Sequence, residues 1–288
     1  MQKSFLDYLQ AMLWFVLSLV VSCGNDAMMK YMGASISPWQ VAFCRCFFGT
    51  VSLLPLMCYH GPVSFKTHRP WLHVLRGGVL VVAISLWSHG VQGVPLTTAT
   101  IMGFTVPIFV LLLAPIFLQE HVTWAMWLAT LLGFCGIVLV LQPNPWSFQR
   151  VSLFFVLGSF LFGLLDIINK KYVTQEPMLC MLFYSTLVAT VLLALPALYA
   201  GPMPTRQALG WLGILGIGSN LLLYFLLKAF ALASVSSLAP FRYLELLLSM
   251  GVGYVLFQEL PTGYSYLGAA LIIAGTLLIV YGQRPNAE

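Results

Sequence analysis

Apolar residues run along this chain in blocks of about twenty, broken by short clusters of Pro, Gly and charge. That length matches the roughly 30 Å of hydrocarbon that a spanning helix must cross. Ten such blocks can be read, at 9–31, 38–59, 71–92, 96–117, 122–142, 151–173, 178–200, 206–229, 236–257 and 263–282. The pattern predicts an all-α polytopic membrane protein with ten transmembrane helices. The connections are too short to hold a soluble domain, and the longest, Gly61 to Pro70, carries Lys66, His68 and Arg69. Any chemistry is therefore expected among the helices.

The blocks repeat. Asp26-Ala-Met-Met-Lys30-Tyr31 in the first returns as Asp166-Ile-Ile-Asn-Lys170-Lys171-Tyr172 in the sixth, at an offset of 140. Pro38 and Pro177 open the second and seventh, and Phe117-Leu118-Gln119-Glu120 matches Leu256-Phe257-Gln258-Glu259, both at an offset of 139. One single-residue slip accounts for the change. The chain thus divides into a first five-helix repeat, 1–142, and a second, 143–288, forming one membrane unit. Because five is odd, the copies are expected to lie inverted, a construction that lets a protein open to either side in turn.

Composition closes off other classes. Of 288 residues 60% are hydrophobic and 7% charged, against about 25% charged in soluble domains, which excludes a water-soluble globule. The net charge of +5, from 13 Lys+Arg against 8 Asp+Glu, comes from basic residues scattered singly, so no nucleic-acid partner is implied. With both termini on one side, that side holds Lys3, Lys66, Arg69, Arg76, Lys170, Lys171, Lys228 and Arg284, and the other only Lys30, Arg150 and Arg206. The excess places both ends in the cytoplasm. The first block is too long for a signal peptide and is expected to be retained. Six cysteines lie in apolar segments without metal-ligand or CxxC spacing and read as small buried hydrophobes. No metal site or cofactor is expected. The chain contains no HExxH, GxSxG or plausible carboxylate dyad, and His89 and His121 are isolated, so an intramembrane enzyme is disfavoured.

A charge at the centre of a spanning helix costs about 2.5–3.5 kcal/mol even on lenient scales, so each one needs a partner or a task. Glu245 lies about ten residues into the ninth block, roughly 15 Å deep, and Arg242, Glu245 and Ser249 share a helical face at i, i+3, i+7. Their repeat counterparts, Gly103 and Val106, are uncharged. The pair is either a structural ion pair or an addition for a ligand, and the asymmetry favours the ligand. Arg45, among aromatics seven residues inside the second block, suits a carboxylate; it could equally answer Asp26, Asp166 or Glu245. Asp26 with Lys30 and Asp166 with Lys170 are i, i+4 pairs shared by both halves and read as gating or structural elements, Asn25 making the first end the one nearer substrate. Asn220, Tyr224 and Lys228 mark one face of the eighth block, and Ser85, Ser88 and Gln92 one of the third, as pocket lining or as glue between helices. Arg69, His73 and Arg76 are expected to contact lipid headgroups. Gly210, Gly213, Gly216 and Gly218 should allow close packing.

Ten helices, the five-helix repeat and the Gln-Glu ends of the fourth and ninth blocks resemble the EamA-like branch of the drug/metabolite transporter superfamily. Asn25-Asp26, Arg45 with Phe47-Phe48, Leu75-Arg76-Gly77, Thr97-Thr-Ala-Thr100, Met181-Leu-Phe-Tyr-Ser185 and Ala239-Pro-Phe-Arg-Tyr-Leu-Glu245 are more closely similar to the S-adenosylmethionine uptake transporters of obligate intracellular bacteria. The resemblance implies uptake of S-adenosylmethionine across the inner membrane, in exchange for S-adenosylhomocysteine, by alternating access. Amino acids or another zwitterionic metabolite are the alternative cargo. Residue chemistry is compatible with the first: Arg45 or Arg242 suits the carboxylate, Glu245 a cation, and Tyr243, Trp87, Phe241, Phe104 and Tyr224 offer rings to a purine or a sulfonium.

Overall fold

In hydrocarbon a backbone group has no water to bond, so each apolar block must satisfy its own amides by winding into a helix. The structure, a computed structural model, describes residues 2–32, 36–91, 101–142, 152–202, 204–258 and 263–282. The helices are α1 (Gln2–Met32), α2 (Pro38–Tyr59), α3 (Pro70–Val91), α4 (Val106–Leu118), α5 (Trp124–Leu141), α6 (Ser152–Tyr172), α7 (Met178–Tyr199), α8 (Arg206–Leu232), α9 (Leu244–Phe257) and α10 (Gly263–Gly282), with a short 3₁₀ turn at Pro62–Phe65. Among the described residues there is no strand, and nine helical stretches are long and apolar enough to cross a membrane. The expected residues 96–100, Ser88 and Gln92 of the third-block stripe, and the side chain of Lys30 fall outside the described set.

Two blocks expected as continuous helices are interrupted. The ninth starts as a helical turn at Val235–Leu238, tightens to 3₁₀ over Ala239–Tyr243 and becomes α-helical only from Leu244. Pro240, near the start of the 3₁₀ stretch, has no N–H to give to a preceding carbonyl. The fourth breaks at residues 104–105, and Pro107 then falls in the first turn of α4, where a missing N–H costs nothing. The carbonyl of Met102 there accepts from the Thr105 amide at 3.1 Å and from the hydroxyls of Thr105 at 2.6 Å and Ser159 at 2.8 Å. Both α4 and α9 end on a left-handed glutamine, Gln119 with φ 56° and Gln258 with φ 57°.

The principal packed pairs are α1 with α8, α3 with α6, α2 with α7, α5 with α10, α2 with α8, α3 with α7, α4 with α6 and α1 with α9. Small residues set the closest approach. A Cβ on Gly275 would stand 2.9 Å from the carbonyl oxygen of Ala129, joining α10 to α5, and one on Gly216 would stand 2.8 Å from the amide of Gly49, joining α8 to α2. Gly210 has nothing within 4 Å, so the packing expected of the four-glycine run falls to its C-terminal members. The core contains Phe15, Met57, Leu111, Ile167, Met181 and Phe230. Cys23, Cys44, Cys46 and Cys180 are buried, while Cys58 and Cys135 are exposed, a departure from the expectation for all six. In a membrane-spanning bundle the outer face is itself apolar and accepts a thiol.

Candidate functional site

The charged side chains gather where α1, α2, α6, α8 and the start of α9 meet. Gly216 allows the α2 backbone so close to α8 that an added Cβ would lie 2.9 Å from the Arg45 carbonyl. That approach brings the Arg45 Nε onto the hydroxyl of Ser219, which in turn donates to Leu215 O at 2.7 Å. Gly218, one residue before Ser219, leaves room for the buried side chain of Asn25 from α1. Asn25 Nδ2 has no hydrogen-bond partner among the described residues.

Asp26 adjoins Asn25 and is exposed. It lies within electrostatic range of Arg45 on one side and Glu245 on the other. Ser22, four residues earlier and so one turn along the same face, lies within reach of the Glu245 carboxylate. The next residue ties α1 to α9, the Cys23 thiol reaching Glu245 O at 3.4 Å. Arg45 of α2, Asp26 of α1 and Glu245 of α9 thus lie along one side of α1, a guanidinium and two carboxylates in sequence.

Arg242 departs from expectation. It does not pair with Glu245, three residues on; its Nη2 donates to Asp166 Oδ2 on α6 at 2.6 Å. Arg242 thus reaches α6, while Glu245 three residues on is tied to α1 through Cys23. A cavity of about 10 Å³ beside Arg242 and Asp166, bounded by Phe15, Pro107 and Phe230, has room for one water and not for a metabolite.

The aromatic candidates separate likewise. Phe241 and Tyr243 are each 1% exposed; the Tyr243 ring fills the space above Gly133 and Phe241 belongs to the main core. Neither ring presents a face to a ligand, which corrects the expectation for both: close packing at the helix break has used them. Trp87 lies over Gly103 and meets Phe155 edge-on at 4.9 Å. Phe104 lies 6.1 Å from Tyr243, and Tyr224 carries Lys228 Nζ 5.5 Å above its ring. These three remain partly exposed. Asn220 is glue, giving Nδ2 to Gly49 O at 2.6 Å and to Ser52 Oγ at 3.1 Å.

Asp166 and Lys170 do not pair with one another. Lys170 Nζ donates to Phe230 O at 2.6 Å and Ala233 O at 2.7 Å, closing the carbonyl end of α8 as a terminal cation does. Glu120 works on the far side of the same junction, accepting from the amides of Val235 and Ser236 at 3.1 and 3.0 Å and from the Ser236 hydroxyl at 2.6 Å. The expected headgroup stripe is also corrected. Arg76 is 2% exposed, donating to Asn169 Oδ1 at 2.9 Å and Met181 O at 2.8 Å. His73 is buried with Thr67, whose hydroxyl donates to Glu176 Oε2 at 2.9 Å. The stripe faces α6 and α7 because only there could a guanidinium find carbonyl and amide acceptors; Arg69 alone stays outward, over the Tyr172 ring at 5.0 Å. Sequence reasoning passed over Ser22 and Ser219, and took Glu120 only as a mark of the repeat. Ser22 could have been found from its i, i+4 relation to Asp26, whereas no local signal marks Ser219.

An apolar helical bundle, with nine stretches among the described residues long enough to cross a bilayer and with ionised groups drawn inside it, defines a polytopic membrane protein. The chain belongs to the EamA-like transporter family, whose model matches it twice, over residues 9–142 and 149–281. It is 42% identical, over 99% of its length and 97% of the relative's, to the S-adenosylmethionine uptake transporter of Rickettsia felis. The protein of the same description from Rickettsia bellii is 43% identical over 94% of this chain and 93% of that one. A riboflavin transporter of Rhizobium johnstonii is 31% identical over 93% and 88%. A solved crystal structure at 17% identity shares the fold with a TM-score of 0.74, covering 96% of each chain.

Proposed function

We propose that this protein is a ten-helix carrier that takes up S-adenosylmethionine, in exchange for S-adenosylhomocysteine, across a bacterial inner membrane with both termini in the cytoplasm. The observation that carries the proposal is the row beside α1, Arg45 of α2, Asp26 of α1 and Glu245 of α9. S-adenosylmethionine offers one carboxylate, one ammonium and one sulfonium, and this row offers one guanidinium and two carboxylates. Trp87, Phe104 and Tyr224 supply the rings for a purine. The Rickettsia relatives, 42% and 43% identical, support the substrate.

Alternating access between inverted repeats 1–142 and 143–288 is supported by the packing. Exchanging each helix for the one five places along carries α1–α8 into α3–α6, α4–α6 into α1–α9 and α2–α8 into α3–α7, while α2–α7 and α5–α10 map onto themselves. The two family matches fall within the two halves, and each half has a helix break ahead of its fourth long helix, at 104–105 and 239–243. Interrupted helices beside a midplane site are a recurring feature of such carriers.

Counterflow in proteoliposomes tests the proposal. Labelled S-adenosylmethionine should accumulate when S-adenosylhomocysteine is loaded inside, and free amino acids and riboflavin should not compete at equal concentration. Competition by either, or absence of counterflow, refutes it.

A further inference from the structure

Glu245 and Arg242 are three residues apart in one segment, opposite in charge, yet no ion pair joins them among the described residues. Left to local geometry, such an i, i+3 pair would close on itself. What prevents it is Asp166, which holds the guanidinium of Arg242 at 2.6 Å from the α6 side, in a pocket with space for a single water. The Glu245 carboxylate thereby has no ion pair among the described residues. The repeat adds a second, independent observation. Asp166 corresponds to Asp26 at the 140-residue offset, but position 103, which corresponds to Arg242, is Gly. The aspartate occurs in both halves, while the arginine it holds occurs in the second alone.

We infer that Asp166 is a specificity-determining positioning residue: by holding the Arg242 guanidinium on the α6 side, it keeps the Glu245 carboxylate out of a direct ion pair and so sets the preference for a cationic sulfonium over its neutral thioether counterpart. Asp166 touches no ligand and acts only through Arg242. The inference rests on the S-adenosylmethionine reading above and adds to it the origin of charge selectivity.

The test compares the full-length wild type with Asp166→Asn, Arg242→Gln and the double variant in proteoliposomes. It measures the KM for S-adenosylmethionine uptake and the inhibition constant of S-adenosylhomocysteine, with protein content and thermal unfolding recorded for each. In Asp166→Asn the released guanidinium turns to Glu245. The KM for S-adenosylmethionine should then rise on the order of tenfold, the size of one charge-assisted hydrogen bond, with S-adenosylhomocysteine inhibition changed far less. Adding Arg242→Gln should restore the preference of the wild type. Equal losses for both ligands in Asp166→Asn, or no recovery in a folded double variant, overturn the inference and leave the ion pair as structure. If the wild type transports no S-adenosylmethionine, the functional proposal itself has failed, an outcome distinct from these.

Discussion

The guanidinium of Arg242 rests 2.6 Å from the carboxylate of Asp166, across a helix interface, and no ion pair joins it to Glu245 in the next turn. Two charges that a helical wheel places together thus meet different helices, α6 and α1. Arg242 is held by a protein carboxylate, while Arg45 has the Ser219 hydroxyl as its hydrogen-bond partner among the described residues. On the proposed reading the substrate carboxylate falls to Arg45.

Glu245→Gln keeps the shape and removes the charge. Uptake of S-adenosylmethionine should fall by about 1.5–3 kcal/mol in transition-state terms, roughly ten- to a hundredfold, while S-adenosylhomocysteine binding falls much less. Isotope uptake alongside binding of the thioether distinguishes this from a structural role, for which both losses would match.

Arg45→Met should weaken every ligand that carries a carboxylate. S-adenosylmethionine affinity is expected to drop at least about tenfold, whereas a decarboxylated analogue should bind wild type and variant alike. Isothermal titration of the two ligands reads the difference, and a common loss would remove Arg45 from the carboxylate site.

Asn169→Ala leaves the buried Arg76 with the carbonyl of Met181 and without its side-chain acceptor at 2.9 Å. The cost should be about 1–3 kcal/mol of stability, seen as a lower melting temperature in detergent. Transport per folded molecule should be retained. An unchanged melting temperature would mean that the guanidinium finds another acceptor.

Gly216→Ala places a methyl 2.8 Å from the Gly49 amide and 2.9 Å from the Arg45 carbonyl. Backbone on both sides cannot yield as a side chain would, so about 1–3 kcal/mol of destabilisation is expected, with transport impaired because Arg45 moves. Gly210→Ala, with open space around it, should be neutral or stabilising by up to about 1 kcal/mol. Thermal unfolding of the pair provides the comparison, and equal effects would contradict the assigned packing.

By itself the sequence determined the membrane class and the position of most of the helices, because these follow from the apolar length that crosses a bilayer. It also singled out Arg45, Glu245 and Asp26, since a charge in hydrocarbon is conspicuous whatever surrounds it. Only the tertiary structure decided what each charge meets. Asp166 reaches Arg242 over 76 positions and Arg76 reaches Asn169 over 93, separations at which spacing along one helix carries no information. The helix breaks ahead of α4 and α9 and the packing of Phe241 and Tyr243 into the core belong to the same class. A guanidinium or a ring goes where neighbouring helices present acceptors and room, and those neighbours are brought into place only when the bundle closes.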